Sequence, residues 1–241
     1  MKFFTLCLVV FFLFISCSPS SDLESSSPIH EIPFSKKLFE GIPMNVLNPY
    51  DRAGQLHSQL YTAYYEMDSL VTNCVTVSER VTLLANQNSN FIFSLGTPYS
   101  FTFGDRVSYV MQYGTCCYEE LINNSIENEN AANSLTSFVH SFISISQEEG
   151  EYASLYSFIT LYEDEVLVDD TISTADKKII LTTTSILRFA SYERKKKPKK
   201  NTDPDWDMMI WSIAGSVDGS SSSIEDAVVM SIICGVLENG V

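Results

Sequence analysis

Basic residues are scarce in this chain of 241 residues, in which 15 Lys and Arg stand against 30 Asp and Glu to give a net charge of -15. Because such a chain repels phosphates, nucleic acid is excluded as a general partner. Glycine and proline are also few, at 10 and 8, while 45% of the residues are hydrophobic. This composition excludes a collagenous or disordered chain and predicts a domain with a buried core.

Recognisable catalytic and cofactor motifs are missing as well. The sequence has no G-x-S-x-G elbow, no H-E-x-x-H, no phosphate-binding loop and no glycine-rich dinucleotide turn. Its three histidines, His30, His57 and His140, have no partner at a motif spacing, and no C-x-x-C or His pair indicates a zinc site. We therefore expect no cofactor and no metal, and an enzyme has nothing specific in its favour.

The one long apolar run lies at the beginning of the chain. Met1 and Lys2 precede the uncharged run from Phe3 to Ile15, and a polar stretch rich in Ser, Pro and acids follows it. A basic start and a short apolar run are typical of an export signal, here residues 1–16. The run falls short of the roughly 20 residues that a spanning helix needs, so we expect no permanent transmembrane helix.

The end of this leader, Phe14-Ile15-Ser16-Cys17, resembles the lipobox of bacterial lipoproteins. The resemblance implies that Cys17 carries a diacylglycerol with fatty acids such as palmitate. Two such chains hold a protein stably on a membrane, because each buried CH₂ contributes on the order of 0.8 kcal/mol. The expected location is the cell envelope, on the inner or outer membrane and exposed to the periplasm or the cell surface. The alternative is an ordinary secretory signal cut near Ser16, with Cys17 incidental.

Residues 17–47 are expected to form a flexible tether and residues 48–241 a folded domain. The stretch 18–33 consists mainly of Ser, Pro and acids and has too few apolar residues to order itself. A random-coil tether of this length reaches roughly 30 Å. The alternative is that part of Phe34–Phe39 docks on the domain and shortens that reach.

From Asn48 onward, apolar residues recur mostly at spacings of three and four, which is the helical period. We expect an all-α domain, an irregular bundle of about seven or eight helices. The run 91–103 is instead expected to be a packed loop or a short strand pair. The expected helices cover 49–72, 78–90, 105–123, 128–147, a stretch from after Gly150 to Val166, a stretch from Ser173 or Thr174 to the basic run, 205–217 and 223–236.

The cysteines that follow Cys17 are Cys74, Cys116, Cys117 and Cys234. In an oxidising envelope, Cys74 is a candidate for a disulfide bridge to Cys116 or Cys117. The alternative is that these residues serve as small buried apolar side chains.

Two charged runs invite a functional interpretation. The basic run Arg194, Lys195, Lys196, Lys197, Pro198, Lys199, Lys200 suggests contact with anionic headgroups or envelope polymers, and the alternative is a solvated loop that the domain's own acids offset. The acidic run Glu163–Glu165, followed by Asp169 and Asp170, lacks the spacing of a calcium loop. We expect it to be a solvated helix end.

The stretch Asn48-Pro49-Tyr50-Asp51, with Gly54 and His57 after it, and the stretch 177–193 together resemble a loose group of exported Bacteroidota proteins of unknown function, whose mature chains open with an N-P-Y-D-x-x-G-x-x-H-N pattern. The resemblance supports an envelope location and implies no activity. From the residues themselves, Asn48 is expected to cap a helix and Asp51 to complement its dipole.

Taken together, these observations predict a lipid-anchored envelope protein whose domain is a non-catalytic binding or surface-organising module. Its expected partners are the membrane, through the anchor, and a protein or an envelope polymer. The alternatives are an envelope enzyme with a site around His57 and Asp51, or a factor associated with a toxin or its immunity protein.

Overall fold

Helices make up the whole of the regular structure in the part of the chain that the computed structural model describes, and this confirms the all-α class. The described residues are 43–67, 71, 73–102, 104–147, 152–196 and 204–239, with side chains for all except 113–117, 194–196, 204–208 and 239. These residues hold nine helices, so the expected number of seven or eight was too low. In chain order they are α1 (Arg52–Tyr65), α2 (Cys74–Gln87), α3 (Ser89–Leu95), α4 (Gly104–Ser125), α5 (Glu129–Gln147), α6 (Tyr152–Val168), α7 (Thr174–Lys196), α8 (Pro204–Ser220) and α9 (Ile224–Asn239). The predicted leader, Cys17 and most of the predicted tether lie outside the described residues.

The additional helix is α3, which begins just before the run 91–103 where a loop or a strand pair was expected. Asn88 caps it, since its side-chain oxygen accepts the N–H of Phe91 at 3.0 Å. The ring of Phe91 is fully buried and fastens the short helix to the core. Gly96 adopts a φ of 66°, a left-handed conformation that suits glycine and ends the helix. The glycine that favoured a loop therefore terminates a helix.

Helix α1 is shorter than the predicted 49–72, because it begins at Arg52 and ends at Tyr65. The cap position is occupied by Asp51, whose side chain makes no capping hydrogen bond. Its carboxylate instead faces the guanidinium of Arg188 on α7. The expectation that Asn48 caps this helix was therefore wrong, and Asn48 has a different role that the next section describes.

Helix α2 begins at Cys74, four residues before the expected start at Ser78. The reason is Asn73, whose side-chain oxygen accepts the N–H groups of Val75 and Thr76. Such a cap satisfies donors in the first turn that have no partner within the helix.

Helices α7, α8 and α9 occupy the centre of the domain. Residues 179–189 of α7, 211–220 of α8 and 227–237 of α9 are buried without exception. The backbones of α8 and α9 approach so closely that a Cβ at Gly215 would lie 2.6 Å from the carbonyl oxygen of Met230. Glycine is needed at this crossing because any side chain would collide with the backbone of the neighbouring helix.

The outer helices divide the apolar core into two clusters around this centre. One cluster joins α1, α2 and α9, and the other joins α5 and α6; α4, α7 and α8 contribute to both. Among the helices described, none combines the length and the apolar content that crossing a bilayer requires.

Candidate functional site

The most unusual side chain of the domain is Arg188, which lies near the middle of α7 with no solvent exposure. One guanidinium nitrogen, Nη2, lies 2.6 Å from a carboxylate oxygen of Asp51 and 3.3 Å from one of Glu163. The other terminal nitrogen, Nη1, donates to the carbonyl of Pro43. A buried charge is tolerated only when it is paired and hydrogen-bonded. Both terminal nitrogens meet these conditions, whereas Nε has no hydrogen-bond partner among the described residues.

Glu163 on α6 is equally buried, and both of its carboxylate oxygens are occupied. The side-chain amide of Asn45 donates to Oε2 at 2.7 Å, while the amide of Asn48 and the hydroxyl of Thr184 donate to Oε1 at 2.9 and 2.8 Å. The prediction that the acidic run at 163–165 is solvated was therefore wrong for Glu163, although its two neighbours are exposed. Helix α6 turns this one carboxylate inward, where Arg188 and three neutral donors replace its hydration.

The residues of the N-P-Y-D motif dock the chain onto α7. The side-chain oxygen of Asn48 accepts the N–H of Tyr50 at 2.8 Å, and its amide also donates to the carbonyl of Leu181 at 2.9 Å. The hydroxyl of Ser185 donates to the carbonyl of Asp51 and accepts the N–H of Gly54, both at 3.0 Å. Asn48 and Asp51 therefore serve tertiary contacts where the sequence suggested a local cap.

Gly54 allows α1 to lie directly against α7. A Cβ at this position would be 2.2 Å from the ring of Phe189 and 2.5 Å from the carbonyl oxygen of Ser185. The second of these atoms belongs to the backbone of the buried part of α7, residues 179–189, and cannot move aside cheaply. The glycine of the motif is thus explained by close approach between two helices.

His57 lies one turn further along α1 in an apolar setting. It is 2% exposed, and neither ring nitrogen has a hydrogen-bond partner among the described residues. Burial lowers its pKa from 6.5 to about 4, so the ring is neutral near pH 7. The ring of Tyr61 stacks on it with centroids 5.9 Å apart.

The structure does not join His57 and Asp51 into an acid–base pair. The hydrogen-bond donors to the Asp51 carboxylate are Arg188, the backbone of Asn45 and the side chain of Gln55. A general base must reach its proton through a hydrogen bond or one water, and a catalytic histidine is itself oriented by a third group. The two residues proposed for an enzyme site thus lie six positions apart, Asp51 at the cap of α1 and His57 within it, and the described hydrogen bonds do not link them.

Two surface cavities are described, and neither is lined by this network. One, of about 240 Å³, lies beside Arg106 and Asp218. Burial raises the pKa of the Asp218 carboxyl, and Arg106 opposes that shift. The other, of about 560 Å³, is a mainly apolar groove between α2 and residues 99–104. Among the described residues, no group of three or more His, Cys, Asp or Glu side chains could hold a metal ion.

Cys74, half-buried, and Cys234, buried, form no disulfide bridge with each other, and burial raises the pKa of Cys234 above its usual range. The side chains of Cys116 and Cys117 lie outside the described part, so the bridge to Cys74 stays a prediction. The lipidation of Cys17 also lies outside the described part.

The basic run is described only in part. Residues 194–196 form the last turn of α7 by their backbone, which extends the helix further into the run than expected. Lys197, Lys199 and Lys200 lie outside the described residues. Contact of the run with an anionic surface therefore stays a prediction.

Arg188 and Glu163 are the site residues that sequence reasoning missed. One signal was present, since Arg188 is a lone charge in the otherwise uncharged segment 179–190 of a helical pattern. A charge in such a segment predicts a buried partner, although it does not say which one.

No protein-family model, no curated protein and no solved structure matches this chain. Fold and site together define an all-α domain in which buried Arg188 and two carboxylates fasten residues 43–51 to α7.

Proposed function

We propose that the chain is a lipid-anchored protein of the bacterial cell envelope, held to a membrane at Cys17, whose helical domain is a non-catalytic binding or surface-organising module. The anchor rests on the leader and on the lipobox resemblance at its end. The non-catalytic role rests on the geometry of the buried network. We also propose that the chain is related to the exported Bacteroidota proteins that it resembles, and that the N-P-Y-D motif serves to dock the chain onto α7.

The observation that carries the non-catalytic role is that the residues suggested for an enzyme site, Asp51 and His57, are both buried in the fold. Asp51 is held by Arg188 at 2.6 Å, and both oxygens of Glu163 accept hydrogen bonds from buried donors. His57 is enclosed by the core and is not protonated near pH 7. Groups that act on a substrate need access to it, whereas the two carboxylates are paired inside the fold and the His57 ring is buried.

The same network suits a tethered domain. The described chain begins at Pro43, whose carbonyl is bound by Arg188, and this residue follows Cys17 by 26 positions. The first described residues after the proposed anchor, Pro43 and Asn45, are therefore attached to α7 and α6. An enzyme around His57 and Asp51 would need these side chains to share a proton path, and Asp51 pairs with Arg188 instead.

The anchor is tested by replacing Cys17 with alanine in the full-length chain and following labelled palmitate and membrane fractionation. We expect the variant to lose the label and to appear in the soluble fraction. Cys7→Ala is the matched control, because it removes a cysteine from the same leader and leaves the lipobox unchanged. Membrane retention and labelling of Cys17→Ala at the level of this control would refute the anchor.

A further inference from the structure

Residues 45–48 form a tight turn whose ends are buried and whose centre is exposed. The N–H of Asn48 donates to the carbonyl of Asn45 at 3.1 Å, and the N–H of Leu47 donates to the side-chain oxygen of Asn45 at 3.1 Å. Asn45 and Asn48 are only 7% and 3% exposed. Between them, Val46 is 85% and Leu47 64% exposed, and Met44 before them is 41% exposed. Three large aliphatic side chains thus share one short stretch of surface, here called the aliphatic turn.

The buried network of Arg188, Asp51 and Glu163 fixes the backbone of the aliphatic turn through hydrogen bonds. The amides of both Asn45 and Asn48 donate to Glu163, and the hydroxyl of Tyr156 donates to the carbonyl of Met44 at 2.7 Å. A buried ionic network contributes little net stability compared with apolar packing, but it can select one conformation. Here the selected conformation exposes aliphatic side chains to solvent. Exposed apolar surface can mark a site of interaction.

The place of the aliphatic turn in the chain indicates what covers it. Val46 follows Pro43 by three positions, and Pro43 is where the chain from Cys17 enters the described domain. No charged residue occurs from Pro43 to Tyr50, although the whole chain is strongly acidic. The described segment closest in sequence to the lipid anchor therefore has no charge of its own and exposes aliphatic side chains; Tyr50 follows it in the chain, and Tyr156 donates to its backbone at Met44. Aliphatic side chains bordered by tyrosine suit the boundary between headgroups and acyl chains.

We propose that Met44, Val46 and Leu47 insert into the same bilayer leaflet that holds the lipid of Cys17, so that the domain has a second, apolar contact with that membrane. This inference rests on the proposed lipid anchor. Because the contact is apolar, salt does not screen it, whereas contact through the basic run at 194–200 would weaken as salt rises.

The test uses the acylated full-length chain in zwitterionic vesicles that carry a spin-labelled phospholipid. Val46→Trp places a reporter on the aliphatic turn, and Val75→Trp places one at a comparably exposed aliphatic position, 64% exposed, on α2. We expect the lipid-borne quencher to suppress the added emission of Val46→Trp at low and at high salt, and to leave that of Val75→Trp unchanged. Circular dichroism checks that both variants keep the helical fold.

Equal quenching of the two reporters in chains that float with the vesicles would overturn the inference and leave the anchor intact. Failure of the chain to acquire lipid would overturn the anchor and this inference with it. A third arm measures iodide quenching of Val46→Trp in the Cys17→Ala chain without vesicles. We expect free access there, since shielding would mean that a second copy or another part of this chain covers the turn.

Discussion

Replacing Arg188 by methionine removes the cation of the buried network and keeps much of its volume. Asp51 and Glu163, which face the guanidinium at 2.6 and 3.3 Å, would remain with side chains only 9% and 0% exposed. Leaving a buried charge without its partner costs about 3–5 kcal/mol. Because a domain has only about 5–15 kcal/mol of stability in total, we expect a large fall in the free energy of unfolding.

Urea titration followed by circular dichroism measures this free energy. The control is Glu119→Gln, which removes the carboxylate from an exposed pair, since the side chains of Glu119 and His140 lie 2.9 Å apart and are 55% and 54% exposed. Exposed pairs contribute about 0–1 kcal/mol, so the control should change stability little. Adding Glu163→Gln to Arg188→Met should recover part of the loss, since one uncompensated charge disappears. A loss for Arg188→Met no larger than that of the control would refute the buried network.

The other predictions concern single positions. The His57 pKa is 6.5 in the unfolded chain and about 4 in the folded one, so between these pH values only the unfolded state binds the proton. The free energy of unfolding of the wild type should therefore fall by about 3 kcal/mol as pH falls through that range. His57→Phe should remove this part of the acid sensitivity; equal pH slopes of unfolding free energy in both proteins would contradict it. Gly54→Ala should destabilise by about 1–3 kcal/mol in urea titration through collision with Phe189, whereas Gly104→Ala, with open space around its Cβ, should be neutral or stabilising. A neutral Gly54→Ala would show that α1 can move away from α7. Neutralising the basic residues from Arg194 to Lys200 should weaken binding to anionic vesicles at low salt, and unchanged sedimentation with those vesicles would leave only the solvated loop.

Helices whose boundaries depend on neighbouring residues were predictable. The expected start of α7 at Ser173 or Thr174 matches the structure, because the Ser173 hydroxyl accepts the N–H of Asp176 at 3.0 Å and donates to its carboxylate. The predicted helix at 128–147 agrees with α5 to within one residue. Both signals operate within a few positions along the chain, which is the range that determines helix formation.

The helix α3 and the start of α1 show where local signals mislead. Aromatic residues with glycine and proline favour loops and strands, but burial of Phe91 and the cap from Asn88 decide for a helix. Asn48 and Asp51 have the residue types of a helix cap, yet buried groups elsewhere in the chain compete for their side chains. At the start of α1 the tertiary contacts prevail, because leaving a buried charge unpaired costs more free energy than losing a helix cap.

The sequence by itself determined the all-α class and most helix positions, since these depend on periodicity and on neighbouring residues. Only the tertiary structure decided that Arg188 is the partner of Asp51, 137 positions away, and of Glu163, 25 positions away. A lone arginine can pair with any of 30 acidic residues, and nothing local distinguishes among them. The packing of α1 and α6 on α7 makes the choice, because it brings two carboxylates to one guanidinium and excludes the water that would otherwise solvate all three.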